Sequence, residues 1–134
     1  MRAACPPGLR VLISPFAVRF AGDTELQPDV LVARFADLTA TSLLVAPLLA
    51  VEVASASTRL VDRTLKAAAY ARHGVTAYWI VDPNPQRPVV TVHELQGGEY
   101  VEVAAAIADD RLAVTAPFPV TFTPAELVAG LRPD

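Results

Sequence analysis

The sequence predicts an α+β fold of mixed α/β character, with one central sheet and one prominent helix against it. Three observations predict it. Short runs of β-branched and apolar residues recur along the chain, bounded by Pro, Gly and Asp. One segment, STRLVDRTLKAAAYARHG, switches to helical spacing. The order is strands, helix, strands, short helix, which suits a layered sheet-and-helix domain.

Leu9–Ser14 (LRVLIS) and Phe16–Phe20 (FAVRF) read as strands joined or bent at Pro15, and AGDTEL reads as a turn. Pro28–Ala33 (PDVLVA) is a strand that follows a proline. RFADLTATS is a polar loop, and Pro47–Ala54 (PLLAVEVA) is a more deeply buried strand. The helix at about 58–73 has Ser57 or Thr58 as its N-cap and Gly74 as its stop. Its interior is rich in Leu and Ala. Val61, Leu65, Ala68 and Ala69 form the expected inward stripe, and Arg59, Arg63 and Arg72 face solvent.

Thr76–Asp82 (TAYWIVD) is a strong strand that ends in the turn Asp82-Pro83-Asn84-Pro85. Val89–Leu95 and Tyr100–Ala104 form a hairpin around Gly97-Gly98. Pro119–Phe122 is a short strand. Thr123-Pro124-Ala125-Glu126 then opens a short helix with an N-cap, a proline at the first helical position and a glutamate to close a capping box. If the strands at 47–54 and 76–82 are neighbours, the helix between them is a right-handed crossover and the pair is parallel.

A length of 134 residues suits a single domain, and an apolar fraction of 53% supports a real core and argues against disorder. No uninterrupted apolar segment reaches the roughly 20 residues of a membrane helix. The longest, Leu43–Ala54, is broken by Pro47 and Glu52. The N-terminal MRAACPPGLR lacks the apolar centre of a signal peptide. Cys5 is the single cysteine, so no internal disulfide forms, and a reduced, cytoplasmic protein is expected. A net charge of −3 argues against broad coating of nucleic acid but leaves room for a local basic patch.

Within LLVAPLLAVEVA, Glu52 is the one charged residue. A dehydrated carboxylate is costly unless it is protonated, paired or bound to a metal. Strand alternation puts Leu49, Val51 and Val53 on one face and Leu48, Ala50, Glu52 and Ala54 on the other. Two alanines therefore flank Glu52 and leave space beside it. Asp29 opens the apolar VLV run although Asp is a poor strand former. Two such carboxylates on adjacent strands can share a divalent cation. Asp62, Lys66 and Tyr70 share one side of the helix, so Lys66 can reach the same place if that side looks toward the end of the sheet. The plainer reading makes Glu52 a structural carboxylate bonded to an arginine or to Tyr70, and pairs Lys66 with Asp62. His73 belongs to the last helical turn, and His93 alternates with apolar residues on a hairpin strand and is expected to be exposed. Tyr78 and Trp79 read as core or interface aromatics.

The segments QPDVLVA, LLAVEVASAST and DRTLKAAAYARHGVTAYWIVDP resemble the Uma-two family, restriction-endonuclease-like bacterial proteins of the PD-(D/E)XK nuclease superfamily. The similarity runs from about Val11 to the C-terminus. Pro28-Asp29, Glu52-Val53-x-Ser55, Lys66 and the block from Tyr70 through Gly74 to Tyr78-Trp79-Ile80-Val81-Asp82 carry it. The resemblance implies a restriction-endonuclease-like core: a mixed central sheet, the crossover helix and a C-terminal hairpin. It implies that Asp29 and Glu52 hold Mg²⁺ or Mn²⁺, with the Val53 carbonyl as a further ligand and Lys66 assisting the attacking water. The superfamily's lysine usually stands two residues after the acidic residue. Ala54 stands there in this chain, and Lys66 matches the displaced helical lysine.

Family members usually carry helices and strands before the part matched, so residues 1–134 are expected to be one N-terminally truncated domain. Exposed apolar surface and a homo-oligomer, most simply a dimer, follow from that expectation. The function implied is a Mg-dependent DNA endonuclease. The alternative is a catalytically inactive nuclease-fold protein that acts as an oligomeric or partner-binding module.

Overall fold

The structure is a computed structural model that describes residues 4–13, 17–20, 24–26, 28–39, 42–53 and 60–131. The elements, in chain order, are β1 (Leu9–Ile13), β2 (Ala17–Phe20), β3 (Thr24–Leu26), β4 (Val30–Arg34), β5 (Ser42–Leu43) and β6 (Leu49–Val53). Helix α1 (Leu60–Arg72) follows, then β7 (Ala77–Asp82), β8 (Val89–Gln96), β9 (Glu99–Ile107), β10 (Leu112–Val114), β11 (Val120–Phe122) and helix α2 (Pro124–Leu131). This is the expected α+β fold with a mixed central sheet.

Six strands form that sheet in the order β1-β4-β6-β7-β8-β9. Its parallel pair is β6 with β7, in the register Leu49↔Ala77 through Val53↔Val81. The other neighbours are antiparallel. Helix α1 is thus the crossover between parallel neighbours. Short connections join the antiparallel neighbours β7, β8 and β9, whereas β2, β3 and β5 lie in the longer connections from β1 to β4 and from β4 to β6. Gly97 and Gly98, at φ +61° and +84°, supply the left-handed pair that a two-residue hairpin turn needs between β8 and β9.

The single sheet expected from the sequence is joined by two small ones among the described residues: β3-β2-β5 and β10-β11. Thr24–Leu26, read as part of a turn, is a strand that pairs antiparallel with β2. Three residues between Gly22-Asp23 and Gln27-Pro28 are too few to show an alternation, so pairing rather than propensity makes this strand. The same holds for β10, which the sequence did not reveal. Within the polar loop, Phe35–Asp37 forms a 3-10 turn and Ser42–Leu43 adds a parallel strand beside β2. Pro15, Ser57 and Thr58, the expected bend and caps, lie outside the described residues.

The sheet buries both faces. On one face Leu49, Val51, Trp79, Val81 and Val90 pack under β10, β11 and α2, with Trp79 stacked on Phe122 at 5.3 Å between ring centroids. The capping box of α2 forms as expected: the Thr123 N–H donates to Glu126 Oε2 and the Glu126 N–H donates to Thr123 Oγ1, both at 3.1 Å. On the other face Leu31, Ala50, Val75 and Tyr78 pack with Tyr70 of α1.

The inward stripe of α1 differs from the expected one. Leu65 is 66% exposed and Ala68 is exposed, whereas Tyr70 is fully buried and Ala67 packs on the core. The side chain of Val61 lies outside the described residues. The helix turns Lys66, Ala67 and Tyr70 toward the sheet because Glu52, on the sheet face it covers, needs polar partners. Those partners outweigh the gain from burying Leu65. His93 is half-buried rather than exposed, with its ring 6.0 Å from that of Tyr78 and Nδ1 3.3 Å from the Tyr78 carbonyl oxygen. Tyr78 and Trp79 are core residues, as expected.

Candidate metal centre

The centre forms where β4 and β6 meet at one end of the sheet, beneath α1. Strand β6 ends at Val53, and antiparallel β4 begins at Val30 opposite Val51. Asp29, the residue just before β4, therefore lies level with Glu52, one residue short of Val53. Its carboxylate closes the ladder in place of a backbone carbonyl: the Val53 N–H donates to Asp29 Oδ2 at 2.7 Å. Pro28, buried just ahead, restricts the chain entering the strand. An Asp that is unfavourable for a strand interior is well suited to this position, where its short side chain reaches one residue past the end of pairing.

Glu52 is 6% exposed and points to the α1 face, as the alternation of β6 predicts. Helix α1 brings two partners to it from successive turns. The Tyr70 hydroxyl donates to Oε1 at 2.6 Å, and Lys66 Nζ stands 3.6 Å from Oε2. The spacing of four residues puts both on one side of the helix. The third neighbour is Asp29, whose carboxyl stands near enough to raise the pKa of Glu52.

Burial is the largest influence on Glu52 and raises its pKa. Tyr70 and Lys66 pull it down, Asp29 pushes it up again, and the result is about 7 rather than 4.5. Burial and the neighbouring Glu52 push the Tyr70 phenol well above its ordinary range, so it stays protonated and remains a donor.

Asp29, Glu52, Val53 and Lys66 are thus brought together. Tyr70 is the addition. The sequence offered it as one of two candidate partners for Glu52, and its signal was the i, i+4 step from Lys66. The arginine alternative does not appear among the described partners of Glu52. The side chains of Asp62 and Arg63, together with all of residues 54–59, which contain Ala54, Ser55 and Arg59, lie outside the described residues. Arg72, in the last turn of α1, is exposed as expected.

The donor set suits a hard divalent cation. Among the described residues, no three of His, Cys, Asp and Glu gather in one place; an ion held by Asp29 and Glu52 would take its remaining ligands from water and substrate. Mg²⁺ is commonly held in that way, whereas structural zinc takes four protein ligands of N and S type. Two acidic groups forced together under apolar cover also repel each other, and a cation between them removes that repulsion.

A solved structure has the same architecture. It is described as "Crystal structure of a putative nuclease belonging to DUF820 from Anabaena variabilis", and it superposes with a TM-score of 0.67 at 21% identity over 93% of this chain and 70% of that one. At that identity the likeness shows the fold. No curated protein matches the chain. The sequence profile of the Uma2 family, described as "Putative restriction endonuclease", matches residues 2–128, and the chain belongs to that family.

Proposed function

We propose that the protein is a divalent-metal-dependent DNA endonuclease whose ion is held by Asp29 and Glu52, with the Val53 carbonyl beside them. The observation that carries this reading is the convergence of the two carboxylates at one sheet end, with Lys66 of α1 on the same carboxylate. The family description and the nuclease-like architecture support it. A bound Mg²⁺ or Mn²⁺ would polarise a phosphate oxygen and make a hydroxide nucleophile available near neutral pH.

The chain's own residues do the rest. The Val53 N–H fixes one oxygen of Asp29, so the side chain needs no reorganisation to serve as a ligand. Tyr70 and Lys66 fix the two oxygens of Glu52. The Lys66 side chain, 38% exposed, brings its ammonium to Glu52 and can orient a water or steady a phosphate oxygen. Arg72 adds positive charge at the end of the same helix. In a chain of net charge −3, such local charge is what would meet a DNA backbone.

The test is cleavage of plasmid and of single-stranded DNA with Mg²⁺ or Mn²⁺, comparing wild type with Asp29→Ala and Glu52→Ala. The proposal expects metal-dependent nicking that both variants lose. Nicking that persists in both overturns the assignment. A wild type inert toward every DNA tested favours the non-catalytic module, in which Lys66 and Tyr70 serve only to satisfy a buried glutamate.

A further inference from the structure

We propose that Tyr70 is a positioning residue for Glu52: its hydroxyl holds Oε1, so that Oε2 is the oxygen turned toward Lys66 and the cation. This rests on the two-carboxylate centre proposed above. The geometry supplies the argument. A glutamate side chain has three rotatable bonds, and its carboxylate can offer one oxygen or two to a cation. Here the choice is constrained from two successive turns of one helix, with Tyr70 2.6 Å from Oε1 and Lys66 3.6 Å from Oε2. The first distance is that of a charge-assisted O–H···O⁻ bond, about twice as strong as a neutral one.

The phenol is itself immobilised. Tyr70 is fully buried, and its ring lies 5.6 Å from that of Tyr78, which lies 5.1 Å from that of Tyr100. The Tyr100 hydroxyl donates to the Val75 carbonyl oxygen at 2.6 Å, and the Val75 N–H donates back to the Tyr70 carbonyl oxygen at 3.1 Å. The packed rings and the Val75 N–H bond to the Tyr70 carbonyl hold the Tyr70 hydroxyl in place, and both remain when Tyr100 loses only its own hydroxyl. A structural carboxylate could be satisfied by water or by Lys66 alone. A rigid, fully buried donor aimed at one oxygen instead sets which oxygen is left for a ligand, as hydrogen bonds behind metal ligands do.

The experiment is calorimetric titration of Mn²⁺ into wild type, Tyr70→Phe and Tyr100→Phe. Tyr100→Phe also removes a tyrosine hydroxyl, a partly buried one, but does not touch Glu52. The inference expects Tyr70→Phe to weaken Mn²⁺ binding by about 10–100-fold and Tyr100→Phe to leave it unchanged. Equal binding by wild type and Tyr70→Phe overturns the role of Tyr70 and leaves the metal centre standing. Equal weakening in both variants overturns it as well, because loss of any tyrosine hydroxyl in this cluster would then suffice, whether or not it touches Glu52. A wild type that binds no Mn²⁺ overturns the metal centre and this inference with it.

A second measurement needs no variant. The chain has three tyrosines, so ¹³Cζ-labelled tyrosine gives a resolvable set of signals. Mg²⁺ should shift the Tyr70 signal and leave that of Tyr100 in place. A Tyr70 signal that does not move while Mg²⁺ binds overturns the proposal.

Discussion

Replacing Glu52 with glutamine should flatten the pH dependence of folding stability in the metal-free protein. In the folded state the Glu52 carboxyl titrates at about 7, against 4.5 when it is unburied. A folded-state pKa above the unfolded one stabilises the fold at low pH, where both states carry the proton. That stability is lost as pH rises from about 4.5 through about 7, because the unfolded chain releases the proton first. The full shift is worth about 3 kcal/mol at 1.36 kcal/mol per unit. Between about pH 5 and pH 8 the group should remove about 2–3 kcal/mol, or roughly 10 °C of melting temperature for a domain of this length. Glutamine cannot ionise and can still accept the Tyr70 hydroxyl, so the variant lacks this loss. The assay is thermal or urea unfolding of both proteins in EDTA across that range. The quantity to compare is the difference of their pH slopes, which cancels any constant cost of placing an amide near Lys66. Parallel slopes would refute the reasoning that burial and Asp29 hold the Glu52 proton.

Further expectations follow from other contacts. Mg²⁺ at about tenfold its dissociation constant should restore about 1.4 kcal/mol to wild type near neutral pH, and should give nothing to Glu52→Gln, as read by melting with and without EDTA. Trp79→Ala removes a fully buried ring stacked on Phe122 and should cost about 3–5 kcal/mol, measured by denaturant unfolding followed by circular dichroism. Thr123→Ala opens the capping box of α2 and should cost about 1 kcal/mol in the same assay. Gly98→Ala places a Cβ at φ +84°, where nothing crowds it, so backbone strain of about 1–2 kcal/mol is the whole expected cost.

Much of the site could be read in the sequence because strand alternation is strict. The period of two placed Glu52 opposite Leu49, Val51 and Val53, and the structure keeps that division between its two cores. Asp29 was legible as an acid with no propensity reason to stand before an apolar run. Its bond to the Val53 N–H was not, because the register of β4 on β6 is a long-range choice that neither strand encodes alone. Helix α1 was legible as a helix, but its inward face was not. Leu65 is the stronger hydrophobe, yet Tyr70 and Lys66 turn inward because a buried carboxylate across the interface needs a donor. Amphipathic pattern alone ranks residues by hydropathy and does not register such a partner. Strands β3 and β10, of three residues each, fall below the length at which alternation carries a signal.

The central claim is that Asp29 and Glu52 together hold one divalent cation. Titrating Mn²⁺ into wild type and Asp29→Ala near neutral pH tests it most directly. The account predicts saturable binding of one ion per chain in wild type, and its loss in a folded Asp29→Ala. Absence of binding in wild type, or undiminished binding in Asp29→Ala, would contradict it.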